Sequence, residues 1–295
     1  MLTLLLFLTY LTGILAKCNI LALSGGGAFG AVEVGILDYL VSSGGAPNKY
    51  DVITGISAGG LNAGFLSYFD DVLSALPEMK GVYANITTDD VYKTDYLGIL
   101  SRWSIYDNSP LEATLTNILE STTQSQNPPI TVIGATNVYT EELDIFKFND
   151  LSITDKINVL MSTSAIPLAF PPRKYNNALY IDGGVISNEI INQAIGFIEC
   201  SYYNITFVSA SSRNPKNNSI TGLFSYINAV VHLLFRTFDY QLAQVSTCTY
   251  PKGQINACFP TSPELDNYSI LDFDNGQALY ELGKLNNSCI QYELC

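Results

Sequence analysis

Short unbroken apolar runs alternate along this chain with segments whose apolar residues recur every three or four positions. Residues 18–23 (CNILAL) form the first run and enter a glycine loop, 24–30. Residues 31–42 follow at helical spacing, with Val34, Leu37, Tyr39, Leu40 and Val41 apolar. Residues 50–54 (YDVIT) predict a second strand, and 57–68 a helix rich in small residues. Residues 130–135 and 204–210 (NITFVSA) read as further strands, apolar throughout in the manner of strands buried on both faces of a parallel sheet. Residues 221–245 predict a long apolar helix and 274–285 a shorter one. The alternation predicts an α/β fold with a mainly parallel sheet between helices. Residues 77–126 are polar, irregular and locally aromatic, as expected of an excursion that covers a site. No shift in composition marks a boundary, so residues 17–295 read as one domain.

The N-terminus sets a compartment. Residues 1–16 (MLTLLLFLTYLTGILA) carry no charge and have a dense apolar centre, too short for the roughly 20 residues of a bilayer span. Lys17, Cys18 and Asn19 follow at once, which predicts a secretory signal peptide cleaved near Ala16; a buried first strand or an uncleaved anchor is the alternative. Asn85, Asn204, Asn217, Asn267 and Asn286 each open an N-x-[ST] sequon, the pattern of a secreted glycoprotein. The lumen of the secretory pathway is expected: extracellular, vacuolar or lysosomal. The six cysteines contain no C-x-x-C pair and read as disulfides. Spacing favours Cys248–Cys258, closing a loop with Pro251 and Gly253, and Cys289–Cys295, clipping the C-terminus. Cys18 and Cys200 are then left, each just before a predicted strand.

Composition narrows the function. Of 295 residues 47% are apolar and only 14% charged, with 14 Lys and Arg against 27 Asp and Glu and a net charge of −13. Such a chain is a poor ligand for nucleic acid or for an anionic bilayer held by charge alone. Docking on a membrane must rest on apolar contact or zwitterionic head groups. One histidine, His232, cannot build a histidine-rich metal site. A hydrolase that needs a histidine base must use that one.

Three glycine-bounded turns carry the candidate chemistry. Gly55-Ile56-Ser57-Ala58-Gly59 matches G-x-S-x-G between a predicted strand and helix, where a serine sits on a sharp bend at a helix N-terminus. Ser24-Gly25-Gly26-Gly27-Ala28-Phe29-Gly30 lies in the same context, and its backbone N–H groups suit an oxyanion. A dinucleotide or phosphate loop is the rival reading, although no Lys-Ser/Thr follows the glycines. Asp182-Gly183-Gly184 follows the short strand 178–181 (ALYI), and a serine nucleophile needs a base. His232 instead lies within the apolar helical run 228–234 (NAVVHLL), as a packing residue would. A Ser57–Asp182 dyad is the economical reading.

Together these blocks resemble the patatin-like phospholipases: SGGGAFGA, GISAGGLNAG around Ser57, and STSAIPLAFPP (162–172) leading into YIDGG. The resemblance covers roughly residues 19–184 and is weaker beyond. It implies a three-layer α/β/α sandwich and lipid acyl hydrolysis with no metal or cofactor. It also implies Ser57 as nucleophile, Asp182 as its partner, and oxyanion-hole amides from Gly25, Gly26 and Gly27. Many members carry Arg or Lys where this chain has Phe29, so a cation near the hole is missing. The implied partner is a lipid or phospholipid at a membrane or micelle surface. Leu61, Phe65, Leu168, Phe170 and the stripe 223–235 are candidates for acyl-chain contact. Two other classes compete: a storage or lipid-binding glycoprotein of the same fold, and a serine peptidase or thioesterase using His232.

Overall fold

The computed structural model describes residues 16–95, 99–212 and 252–294. The glycine-punctuated first half gives β1 (Lys17–Leu23), α1 (Gly30–Ser42), β2 (Val52–Ile56), α2 (Ala58–Leu66) and α3 (Val72–Asn85). A two-stranded ribbon, β3 (Lys93–Thr94) and β4 (Tyr106–Asp107), precedes α4 (Ser109–Ser121). Then come β5 (Ile130–Asn137), β6 (Glu142–Lys147), α5 (Ile153–Thr163), β7 (Arg173–Tyr175), β8 (Ala178–Ile181) and α6 (Ile191–Ile195). The last described elements are β9 (Tyr202–Val208), β10 (Gly253–Pro260), α7 (Gly276–Leu285) and β11 (Asn287–Leu294). The long helix expected over 221–245, His232, Asn217 and the expected signal peptide up to residue 15 lie outside the described residues.

Nine strands form one sheet in the order β11-β10-β9-β1-β2-β5-β8-β7, with β6 also paired to β5. From β10 to β5 the ladders are parallel; β11, β6, β8 and β7 join antiparallel. The fold is therefore α/β with a mainly parallel central sheet, and both faces are buried. On one face Leu21, Leu23 and Ile133 pack with α1, α2, α3, α5 and α7. On the other Ile20, Val52, Val132, Ile205 and Phe207 pack with Ile191, Ala194 and Ile195 of α6. Burial on both faces explains why the central strands read as apolar runs rather than alternations.

The stretch 77–126 is more regular than its composition suggests. Its first part is the end of α3, with Asp71 capping Ser74 N–H at 2.9 Å and Pro77 inside the helix. Its last part is α4, where Leu111, Leu115 and Leu119 form a buried stripe four residues apart. Polar outer faces had masked both helices.

Two further expectations are corrected. Cys258 bonds Cys289, with Cα atoms 4.0 Å apart, because β10 and β11 set these residues directly opposite one another. The expected Cys248–Cys258 and Cys289–Cys295 bridges are therefore excluded. Proximity in sequence had stood in for proximity across a ladder. Cys18 and Cys200 are joined over a separation of 182 residues, a closure worth about 3–5 kcal/mol by unfolded-state entropy. The sequon at Asn204 is also not available in the folded chain. Asn204 is buried in β9, donating to Asn19 Oδ1 at 2.9 Å and accepting from Gln254 Nε2 at 2.9 Å. Asn85 and Asn267 are exposed and Asn286 is half-buried.

Candidate active site

Sheet register brings the three motifs together. Leu23 pairs with Gly55 and Ile56 with Gly134, so the turns after β1 and β2 sit side by side at the carboxyl edge of the sheet. β8 runs back along β5 with Ile181 opposite Thr136, which delivers Asp182 beside the same edge. Residues 24–30, 57 and 182 meet because of strand order, although they span most of the chain.

Ser57 joins β2 to α2 with φ 54° and ψ −124°, a left-handed conformation that a non-glycine residue adopts only when its surroundings hold it there. The hold is visible. Ser57 N–H donates to Thr163 Oγ1 at 2.9 Å, and that hydroxyl donates to Gly134 O at 2.6 Å. A side chain at either flanking glycine would prevent the turn. A Cβ on Gly55 would lie 2.1 Å from Gly59 O, and one on Gly59 would lie 2.5 Å from the Leu23 carbonyl.

Ser57 Oγ donates to Asp182 Oδ2 at 2.6 Å, while Gly184 N–H donates to Oδ1 at 2.8 Å. Both residues are 1% exposed. Burial pushes the Asp182 carboxyl up to about 7, opposed by the hydrogen bonds from Ser57 and Gly184. A carboxyl of raised basicity thus faces the Ser57 hydroxyl.

The glycine loop is narrower in role than its motif implies. Gly25 N–H donates to Asn188 Oδ1 at 2.8 Å and Ala28 N–H to Ile270 O at 2.7 Å, so neither is available to an oxyanion. Gly25 is corrected from a hole donor to a structural one. Among the described residues the N–H groups of Gly26 and Gly27 make no hydrogen bond. Gly27 has φ 57°, and a Cβ there would lie 2.2 Å from Ile270 O. Ala58 opens α2, so its N–H belongs to the unpaired first turn and adds a third donor beside Ser57. Phe29, standing where a cation was missed, is buried in the core at 3% exposure.

Behind the loop lies a carboxyl that sequence reading missed. Glu33 accepts from Ser24 N–H at 2.7 Å and Asn62 Nδ2 at 3.1 Å, and burial raises it well above the usual carboxylate range. Asn62 also donates to Gly30 O at 3.1 Å and accepts from Tyr83 Oη at 2.7 Å, so one network pins both ends of the loop. Thr163, Asn188 and Glu33 support the site from three distant segments. Only Thr163 had a signal, lying inside the block 162–172.

An apolar cavity of about 90 Å³ opens from Gly27, Ser57 and Ala58 between α2, α3 and α4. Leu61, Phe65 and Phe170 line it as expected, joined by Met79, Leu111, Leu115 and Ile118. Leu168 does not: it is 56% exposed, on a turn with φ 68°. The stripe 223–235 lies outside the described residues. Residues from α3 and α4 wall the cavity, so the excursion 77–126 does cover this site.

The patatin-like phospholipase family model matches residues 21–195, more than half of the chain. A probable lipid hydrolase, 463L of invertebrate iridescent virus 6, is 28% identical over 242 residues, covering 77% of each chain. The uncharacterised protein R571 of Acanthamoeba polyphaga mimivirus is 26% identical over 215 residues, covering 67% of this chain and 71% of its own. Among solved structures, VipD of Legionella pneumophila aligns with a TM-score of 0.41 at 14% identity, covering 92% of this chain and 68% of its own. With all three motif blocks inside the matched region, the chain belongs to the patatin-like phospholipase family of lipid acyl hydrolases.

Proposed function

We propose that the protein is a secreted carboxylic ester hydrolase of phospholipase A type, working through a Ser57–Asp182 dyad and an acyl-enzyme. The single observation that carries this reading is the 2.6 Å Ser57–Asp182 hydrogen bond, with Ser57 lining an apolar cavity. Ser57 Oγ attacks the ester carbonyl as its proton passes to Asp182 Oδ2. The oxyanion is held by the N–H groups of Gly26, Gly27 and Ala58, and one such donor is typically worth about 10²–10³ in rate. Collapse expels the lysolipid alkoxide, which takes the proton from Asp182. Water then gives a proton to Asp182, attacks the acyl-enzyme, and releases the fatty acid with Ser57 reprotonated. The acyl chain lies along Leu61, Phe65, Met79 and Leu115, where burial of each methylene contributes about 0.8 kcal/mol.

The processed chain 17–295 acts as one domain in a secretory lumen, with Asn85 and Asn267 as its exposed glycan acceptors. The test is a phospholipid and short-chain ester panel read by mass spectrometry, with wild type, Ser57→Ala and Asp182→Asn side by side. Fatty acid release by wild type alone is expected. Release by both variants at the wild-type rate would remove the dyad. No release by folded wild type would favour a lipid-binding or storage role.

A further inference from the structure

A second pocket, of about 440 Å³, lies beside the catalytic cavity and has a different character. Segment 166–174 links the two: Ile166 and Phe170 face the catalytic cavity, while Pro171, Pro172, Arg173 and Lys174 line the second pocket. Arg102 and Trp103 complete its wall, so three of the chain's 14 cationic residues line one pocket, and no acidic residue lines it.

Two large apolar side chains are exposed on the segments around this pocket. Trp103 is 62% exposed and Leu168 56% exposed. Their segments are tied by backbone bonds, Ile105 N–H to Leu168 O at 2.9 Å and Tyr106 N–H to Ala169 O at 3.0 Å. Trp103 has φ 59° and Leu168 φ 68°, so two bulky exposed residues are held in the left-handed region. Such strain is costly and collects at functional positions.

The cations are unequally engaged. Arg173 is bound to Glu112 at 2.9 and 2.6 Å, and Arg102 pairs with Asp95. Arg102 Nε nevertheless has no hydrogen-bond partner though it is buried, and exposed Lys174 makes no ion pair among the described residues. A tryptophan and a leucine beside an exposed lysine and a partly exposed arginine match the boundary of a bilayer, where indole sits at head-group level and phosphate lies just outside. The net charge of −13 opposes approach to an anionic surface.

We propose that this face docks the enzyme on a zwitterionic phospholipid surface, with Trp103 and Leu168 entering the interface and Arg102 and Lys174 meeting the lipid phosphate. This rests on the lipid hydrolase reading above and adds how the enzyme meets its substrate. Docking here places segment 166–174, whose Ile166 and Phe170 line the catalytic cavity, next to the lipid.

Trp103 is the only tryptophan of the chain and reports on its own surroundings. The experiment uses full-length protein carrying Ser57→Ala, so that lipid stays intact, and phosphatidylcholine vesicles with and without brominated acyl chains. A blue shift of Trp103 emission and quenching by the brominated chains are expected. Cosedimentation is expected to weaken by about tenfold or more with Leu168→Asp and about fivefold with Lys174→Glu. In the active chain those two substitutions leave hydrolysis of a soluble short-chain ester within about twofold, since neither residue lines the catalytic cavity. Vesicle binding with unchanged Trp103 emission, binding unaffected by both substitutions, stronger binding to phosphatidylglycerol vesicles at low salt, or no vesicle binding by folded protein would each overturn the proposal. Soluble-ester turnover reports on Ser57 and Asp182 alone, so a failed dyad and a failed docking face give different results.

Discussion

Asp182 and Glu33 are both buried carboxyls at the glycine-rich edge of the sheet, and burial raises both. Their donors separate them. Glu33 accepts from the Ser24 N–H and the Asn62 side-chain amide and also meets the Ser24 hydroxyl, but Ser24 does not line the cavity. Asp182 accepts from Ser57 Oγ, the hydroxyl that opens on the cavity. A raised carboxyl beside a hydroxyl that faces the cavity is placed to act as a base, and one whose donors hold the glycine loop is placed as a brace. Burial alone does not distinguish the two; whether the serine hydroxyl beside the carboxyl lines the cavity does.

The largest effect should come from the dyad. Asp182→Asn is expected to lower kcat by about 10²–10⁴, whereas Glu33→Gln should keep it within about tenfold. Steady-state kinetics on one soluble ester decides this, and equal losses would erase the contrast. Asn188→Ala should lower kcat by up to about 10² with KM little changed, because it releases the Gly25 N–H and lets the neighbouring hole donors shift.

The pH dependence tests the same contrast. Asp182 must be ionised to take the proton, so kcat should fall about tenfold per pH unit below a pKa of about 7 and level off above it. Stability runs the other way. The folded-state value lies above the unfolded carboxylate range, so this group's contribution is complete at acid pH and is lost as pH rises towards 7. Asp182→Asn should therefore melt above wild type at pH 8, with the gap closing on acidification; calorimetry across that range checks it.

Glu33→Ala should cost about 1–3 kcal/mol in denaturant unfolding, by stranding the Ser24 N–H and the Asn62 amide. The smallest effect is expected at the α4 wall of the cavity. Leu115→Phe should move the preferred acyl chain to shorter lengths, at about tenfold or less for any one ester. A chain-length series measures it.

The elements nearest the chemistry were the most legible. The runs ending at Leu23 and Ile181 are strands, and residues 31–42 are helical as their spacing indicated. Ser57 and Asp182 were marked because a sharp turn and a close approach leave a glycine signature in the sequence. The supporting groups leave none. Asn188 and Glu33 are ordinary polar residues until folding buries them against the glycine loop, and α4 shows its role only once its leucine stripe walls the cavity. Asn204 makes the converse point, since a sequon records three residue types and says nothing of burial in β9.

The sequence alone determined the α/β alternation, the strained turn at Ser57, the glycine loop and the scarcity of histidine, because each is written in local residue types and short spacings. The tertiary structure decided the rest: that Asp182 meets Ser57, that Gly25 is spent on Asn188, that Cys258 finds Cys289, and that Trp103 stands beside Leu168. Those pairings depend on strand order and register across the sheet, which bring together residues that no local pattern connects.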